Sequence, residues 1–228
     1  MSREQRPLTA VPAWVWIVLA AGLALQLGVH AALGPARAGR AELPPAPSAE
    51  GMRLAAFGEA AAAARLSMLY VQGFDMRNLD YARLTAWLRT ALALDPRSQY
   101  PLFSAARIYA ENPDPARARA ALEFVYEQFL LDPNRRWPWL AHAALLAKHR
   151  LKDLPLARRY AAAVDRHTSA NDVPLWARQM EIFILEEMNE LDAARIMLGG
   201  LLASGQISDA AELRFLRERL EALEAKGK

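Results

Sequence analysis

The feature that most constrains the fold is a phrase that occurs twice. Leu94-Asp95-Pro96, followed by Tyr100-Pro101-Leu102, returns thirty-seven residues later as Leu131-Asp132-Pro133, followed by Trp137-Pro138-Trp139. A weaker copy, Val173-Pro174-Leu175, stands thirty-six residues beyond the second. Self-similarity at a period of about 20 to 50 residues marks a chain built from one small unit stacked on itself, because such a unit cannot bury its apolar face alone. Each copy also punctuates. Proline disfavours helical geometry in the residue before it, so Asp-Pro closes a helix. A few residues on, Pro101, Pro138 and Pro174 stand where a first helical position tolerates a missing N–H.

Between these marks the chain reads as helix. Ala, Leu, Arg and Glu fill most segments, and runs of Val, Ile and Thr in period-2 alternation are missing. The second helix of each pair begins at Leu79-Asp80-Tyr81-Ala82-Arg83, Asp114-Pro115, Leu154-Pro155 and Leu191-Asp192-Ala193-Ala194-Arg195. Helices are expected at 52–73, 79–94, 101–112, 115–131, 138–150, 155–167, 174–189 and 191–203. A final helix, capped by Ser208 or Asp209, carries alternating charges from Glu212 to Lys226 on an outer face. The fold class is all-α.

Pro96, Leu102, Ala106 and Tyr109 on one helix, with Ala118 and Leu122 on the next, place a proline, a large anchor, a small contact residue, an aromatic, and a further small and large pair in order. The following copy offers Pro133, Trp139, Ala143 and Leu146 at the corresponding spacings. In this respect the chain resembles the tetratricopeptide repeat family, although the copy from Pro174 shows Gln179 and Ile182 in place of the small residue and the aromatic. The resemblance implies a right-handed solenoid of helical hairpins over 52–207, closed by a capping helix at 208–228. It also implies an inner groove that binds a peptide or partner protein and carries no chemistry of its own.

Ahead of the repeats, no charged residue occurs from Pro7 to Ala36, and Val11 to Leu33 is long enough to cross a bilayer core as a helix. Trp14 and Trp16 suit the headgroup level near its start, and Gln26 and His30 are its only polar residues. A single-pass signal anchor is expected after a short tail at 1–10. The alternative is a cleaved signal, with Ala36-Arg37-Ala38 as the cleavage pattern and Arg3 and Arg6 as its basic end. Arg3 and Arg6 on one side nearly balance Arg37 and Arg40 on the other, and the free amino terminus tips the N-terminus inside. In a bacterial cell this puts the repeats in the periplasm, on the inner membrane. Residues 34–51, rich in Pro and Ala, read as a tether that lifts the domain off the bilayer.

Chemistry is sparse. With no cysteine among 228 residues, disulfides, thiolate metal sites and cysteine nucleophiles are excluded. Phosphate-loop, dinucleotide and G-x-S-x-G patterns do not occur. His142 and His149 lie two turns apart on one helix, roughly 10 Å, too far to chelate one ion as a pair, and His167 stands alone. Neither cofactor, metal nor small-molecule substrate is expected, and the protein is read as a non-enzyme. Trp139 is explained as a packing anchor. Arg135, Arg136 and Trp137 exceed what a joint between repeats needs, and Trp and Arg are enriched at binding hot spots.

Arg158 and Arg159 belong to a basic middle that also contains Arg135, Arg136, Lys148, Arg150, Lys152 and Arg166, whereas Glu181, Glu186, Glu187, Glu190 and Asp192 follow as an acidic run. Arg135, Arg136, Trp137, Arg158 and Arg159 are therefore the candidate partner contacts, for an acidic segment or, on the cytosolic side, anionic lipid. Nucleic acid is not expected from so small a net charge. The expected function is a membrane-tethered adaptor or scaffold for protein–protein interaction, with assembly of an envelope complex as the expected setting. The alternatives are an enzyme subunit using the His142, His149 and Asp153 face, and a structural spacer.

Overall fold

The computed structural model describes residues 11–33, 42–168, 173–205, 207 and 209–226. Among them, all regular structure is helical, with twelve α-helices, one short 3-10 helix and no strand. The chain divides into two units, Met1–Ala41 and Glu42–Lys228.

In the first unit, α1 (Ala13–Leu33) starts after Pro12 and contains no charged side chain. Trp14, Trp16, Leu19, Leu23 and Leu27 are exposed on it. Among the described residues no single helix is long and apolar enough to cross a membrane, and Ala13–Gly28 is a shorter apolar helix. The tail at 1–10, the basic residues Arg37 and Arg40, the Ala36-Arg37-Ala38 pattern and the His30 side chain lie outside the described residues.

The second unit opens with a surprise. Glu42–Ser48, expected to belong to the tether of residues 34–51, lies along α4 (Tyr81–Leu94), and Leu43 is 1% exposed. Trp87 Nε1 donates to Pro44 O at 2.8 Å and Thr90 Oγ1 to Pro47 O at 3.0 Å. Proline lacks an N–H but keeps a carbonyl, so an extended Pro-rich strap can be held entirely through its acceptors. The sequence boundary at residue 51 is thus corrected to Ala41, and α2 (Ala49–Ala55) follows directly, capped by Ser48.

Next come α3 (Ala60–Gln72), α4, α5 (Tyr100–Arg107), the 3-10 helix Tyr109–Glu111, α6 (Pro115–Leu131) and α7 (Pro133–His149). They are followed by α8 (Leu154–His167), α9 (Leu175–Arg178), α10 (Met180–Glu187), α11 (Leu191–Ala203) and α12 (Ala210–Lys226). Helices α6 and α11 have the expected bounds. Three aspartates start the second helices of successive pairs: Asp80, Asp114 and Asp153 accept from Ala82 N at 2.8 Å, Ala116 N at 2.9 Å and Leu156 N at 2.9 Å. Asp209 caps α12 through Ala211 N at 2.7 Å, and Ser208 lies outside the described residues.

Several boundaries depart from expectation. The segment 52–73 is two helices, because Phe57 (φ 54°) and Gly58 (φ 89°) take left-handed geometry between α2 and α3. The segment 101–112 divides at Ile108, and 174–189 divides at Gln179, with Pro174 as the cap before α9. In the second Asp-Pro copy Pro133, not Pro138, occupies the first helical turn, leaving only Asp132 between α6 and α7 and putting Pro138 inside α7. One proline suffices to start a helix, and tertiary packing carries the chain through the second.

Each helix of this unit packs on its chain neighbour, and α4 also meets α6, α5 meets α7, and α8 meets α10. Cross-helix hydrogen bonds recur near the repeat spacing: Asn112 Nδ2 to Met76 O at 2.9 Å, Trp139 Nε1 to Gln99 Oε1 at 2.6 Å, Arg150 Nη1 to Glu111 Oε2 at 2.6 Å. Leu102, Ala106, Tyr109, Leu122 and Ala143 are buried in one continuous core, and Ala118 is buried as well. Trp139 and Leu146 are only partly buried against it, while Leu140 is fully buried. The deep anchor of α7 is therefore one residue beyond the expected Trp139. A smaller cluster joins α10, α11 and α12 through Leu185, Leu198, Leu216 and Leu223.

Candidate functional site

Arg135, Arg136 and Trp137 leave the first turn of α7 in three directions. Arg136 is 5% exposed, and its guanidinium lies against the end of α6: Nη1 donates to Gln128 O at 2.7 Å and to Gln128 Oε1 at 3.3 Å, and Nη2 to Pro96 O at 3.2 Å. It is thus part of the joint between the two Asp-Pro copies, correcting the expectation that it exceeds the joint's needs. Its three acceptors are neutral. Burial lowers its pKa, with Asp132 opposing and Arg135 adding to the effect. Arg135 is exposed and pairs with Asp132 at 3.3 Å. Trp137 is half-buried and meets Trp176 edge to face, centroids 5.8 Å apart.

Beside Arg136 is an open cavity of about 630 Å³, between the ends of α4 and α6, the Pro96–Arg97 turn and the start of α7. Arg89, Arg97, Arg135 and Arg136 line it together with Gln128 and Asp132. Arg89 and Arg97 escaped the sequence reading. They belong to no compact basic run, and only the return of the chain at α7 brings them beside Arg135 and Arg136.

The other candidate arginines are engaged within the chain. Arg158 Nε pairs with the buried carboxylate of Glu181 at 3.1 Å. Arg159 pairs with Glu123 and stands over the rings of Tyr126, at 4.7 Å, and Tyr160, at 5.2 Å. Tyr160 donates to the same carboxylate at 2.9 Å, and burial with the Glu123 charge drives its pKa upward. Lys148 pairs with Glu187 at 2.5 Å. Much of the basic middle and acidic end seen in sequence is therefore neutralised between neighbouring helices.

Of the histidine face, His142 Nε2 is 3.5 Å from Arg107 Nη1 and His149 is exposed. Burial, then the Arg107 charge, lowers the His142 pKa against a smaller opposing effect of Glu111. Asp153 is held as the cap of α8 and pairs with Arg119 at 2.7 Å. Its pKa is lowered by the Leu156 N–H and by Arg119, against desolvation. Among the described residues no group of three or more His, Asp or Glu side chains could hold a metal ion.

A second surface runs over the first helices of successive pairs. Tyr100 stacks on Phe103, centroids 6.0 Å apart, and Phe103 meets Trp139 edge to face at 5.7 Å. Tyr100 reaches back to α3, where it accepts from Gln72 and shares a cleft with Leu69. Leu69, Tyr100 and Phe103 are all exposed, at 67%, 44% and 36%. The row eluded sequence reasoning because Phe103 follows the fully buried Leu102 directly. Only the helix rotation sets one inside and the other out.

No protein-family model, curated protein or solved structure matches the chain.

Proposed function

We propose that the protein is a non-catalytic adaptor, a right-handed solenoid of tetratricopeptide type closed by α12 and held at the inner membrane by α1. Contacts recurring at the repeat spacing support the solenoid, since in a stacked array each unit contacts its neighbours. The apolar, uncharged character of α1 supports the anchor. In this reading the domain lies in the periplasm and binds a protein or peptide during assembly of an envelope complex.

The observation that carries the binding role is the row of exposed Leu69, Tyr100 and Phe103 with the partly buried Trp139, in which ring contacts join α5 to α7 and a shared cleft joins α5 to α3. Contiguous exposed apolar surface rimmed by polar groups marks interaction sites, and aromatic anchors dominate such interfaces. Arg135 and Trp137, on the same helix as Trp139, are further candidates for partner contact. The test is co-purification from native membranes with the full-length chain and with a Leu69→Ser, Phe103→Ser variant. Loss of a stoichiometric partner with circular dichroism unchanged is the expected result, and retention of that partner would remove the row from the interface. A single cysteine at Glu224, in a chain that has none, should react with an impermeant maleimide in cells with a permeable outer layer. Protection until lysis would place the domain in the cytosol.

A further inference from the structure

We propose that the arginine cavity between α4, α6 and α7 is a binding site for a phosphate dianion, free or borne on a phosphomonoester. This goes beyond the adaptor reading and does not depend on it. The cavity is of the size that holds small ligands, about 300–1,000 Å³, and four arginines line it. Two already have carboxylate partners, Arg89 with Glu127 at 2.5 Å and Arg135 with Asp132 at 3.3 Å.

The other two do not. Arg136 is buried against neutral carbonyls alone, with its Nε unpartnered. Arg97 is exposed, and its guanidinium enters no hydrogen bond or ion pair among the described residues. Both border the same cavity, and Arg136 Nη2 contacts the carbonyl of Pro96, the residue before Arg97. A buried charge without a counter-ion is costly. Arg97 and Arg136 are thus the two arginines of the cavity without an ion pair among the described residues, although Asp132 also borders it and opposes the effect of burial on Arg136. Such a pair of cations matches one dianion better than a single carboxylate.

The geometry adds to the charge. Guanidinium forks bind phosphate oxygens through paired, charge-assisted hydrogen bonds. Helix α7 begins at the cavity, and the Asp132 side chain, paired with Arg135, makes no capping hydrogen bond to the backbone N–H groups of the first turn, so the positive end of the helix dipole adds to the charge there. Leu92 and Leu131 form an apolar wall beside the arginines, Leu131 being largely exposed. That wall suits the organic stem of a phosphomonoester, whose charge the arginines would take.

The test uses the full-length chain in detergent, titrated calorimetrically with inorganic phosphate at pH 8, with chloride as the control salt. The expected result is 1:1 binding that weakens about tenfold or more in Arg97→Gln, Arg135→Gln, two exposed substitutions that keep the buried Arg136 joint. Arg166→Gln, on α8, should leave binding unchanged. Affinity should fall below pH 6, as phosphate becomes a monoanion. Co-sedimentation with phosphatidic acid vesicles, lost in the double variant, identifies a lipid headgroup as source; phosphate binding without it identifies a free phosphomonoester. No phosphate binding overturns the proposal. So does binding that survives the double variant, or capture of an acidic hexapeptide in preference to phosphate.

Discussion

Arg136 Nη2 donates to the carbonyl oxygen of Pro96 at 3.2 Å, so a side chain of the second Asp-Pro copy closes on the backbone of the first. The same guanidinium holds Gln128 O at 2.7 Å. Removing it leaves both carbonyls without that donor, and Arg136→Ala should destabilise the domain by about 1.5–3 kcal/mol, the range for hydrogen bonds to charged groups. Arg136→Lys should not restore the loss, since an ammonium lacks the fork that bridges two acceptors. Arg135→Ala, which breaks only an exposed pair, should cost about 0–1 kcal/mol. Urea unfolding followed by circular dichroism separates these outcomes, and equal losses at 135 and 136 would deny Arg136 its role as the joint.

The strap makes a different demand. Leu43 is buried against α4, and Trp87 and Thr90 donate to the carbonyls of Pro44 and Pro47. Leu43→Ala should therefore cost about 2–5 kcal/mol, as for other buried leucines. A chain starting at Glu42 should melt as the longer one does, whereas one starting at Gly51 should melt at a lower temperature. Identical melting of the two truncations would return residues 42–48 to the status of a tether.

Within α7, Leu140 is fully buried and Trp139 only partly so. Leu140→Ala should cost about 2–5 kcal/mol, while Leu145→Ala, on an exposed position of the same helix, should stay within about 0.5 kcal/mol. Comparable losses at the two sites would show α7 to be rotated from the position described.

His142 should titrate below its ordinary value of 6.5. Its folded pKa is depressed, by burial first and then by Arg107, so the fold favours the neutral ring. The associated stability is complete above about pH 6.5 and is lost as pH falls through the lowered folded pKa. Histidine ring resonances followed by NMR from pH 8 to pH 4 should show it, and Arg107→Gln should move the midpoint upward. A midpoint above 6.5 would contradict the burial.

Residue chemistry alone was enough for the parts of this fold that rest on local rules. Asp-Pro closes α4 and α6, aspartate caps start α4, α6 and α8, and helix-forming composition makes the described residues all-helical, because these depend on groups within a few residues of one another. What exceeded local rules went to tertiary packing. Pro138 sits inside α7 because the α6–α7 joint starts the helix earlier. Leu140, not Trp139, became the deep anchor, because rotation of a helix against its neighbours is set by the whole contact. A Pro-rich segment became part of the core once Trp87 and Thr90 found its carbonyls. The candidate site divides in the same way. Arg135 and Arg136 stood out as a pair in the chain, but the cavity they share with Arg89 and Arg97 exists only because the chain returns to the same place after one repeat, and the buried state of Arg136 exists only because Pro96 and Gln128 are there to receive it.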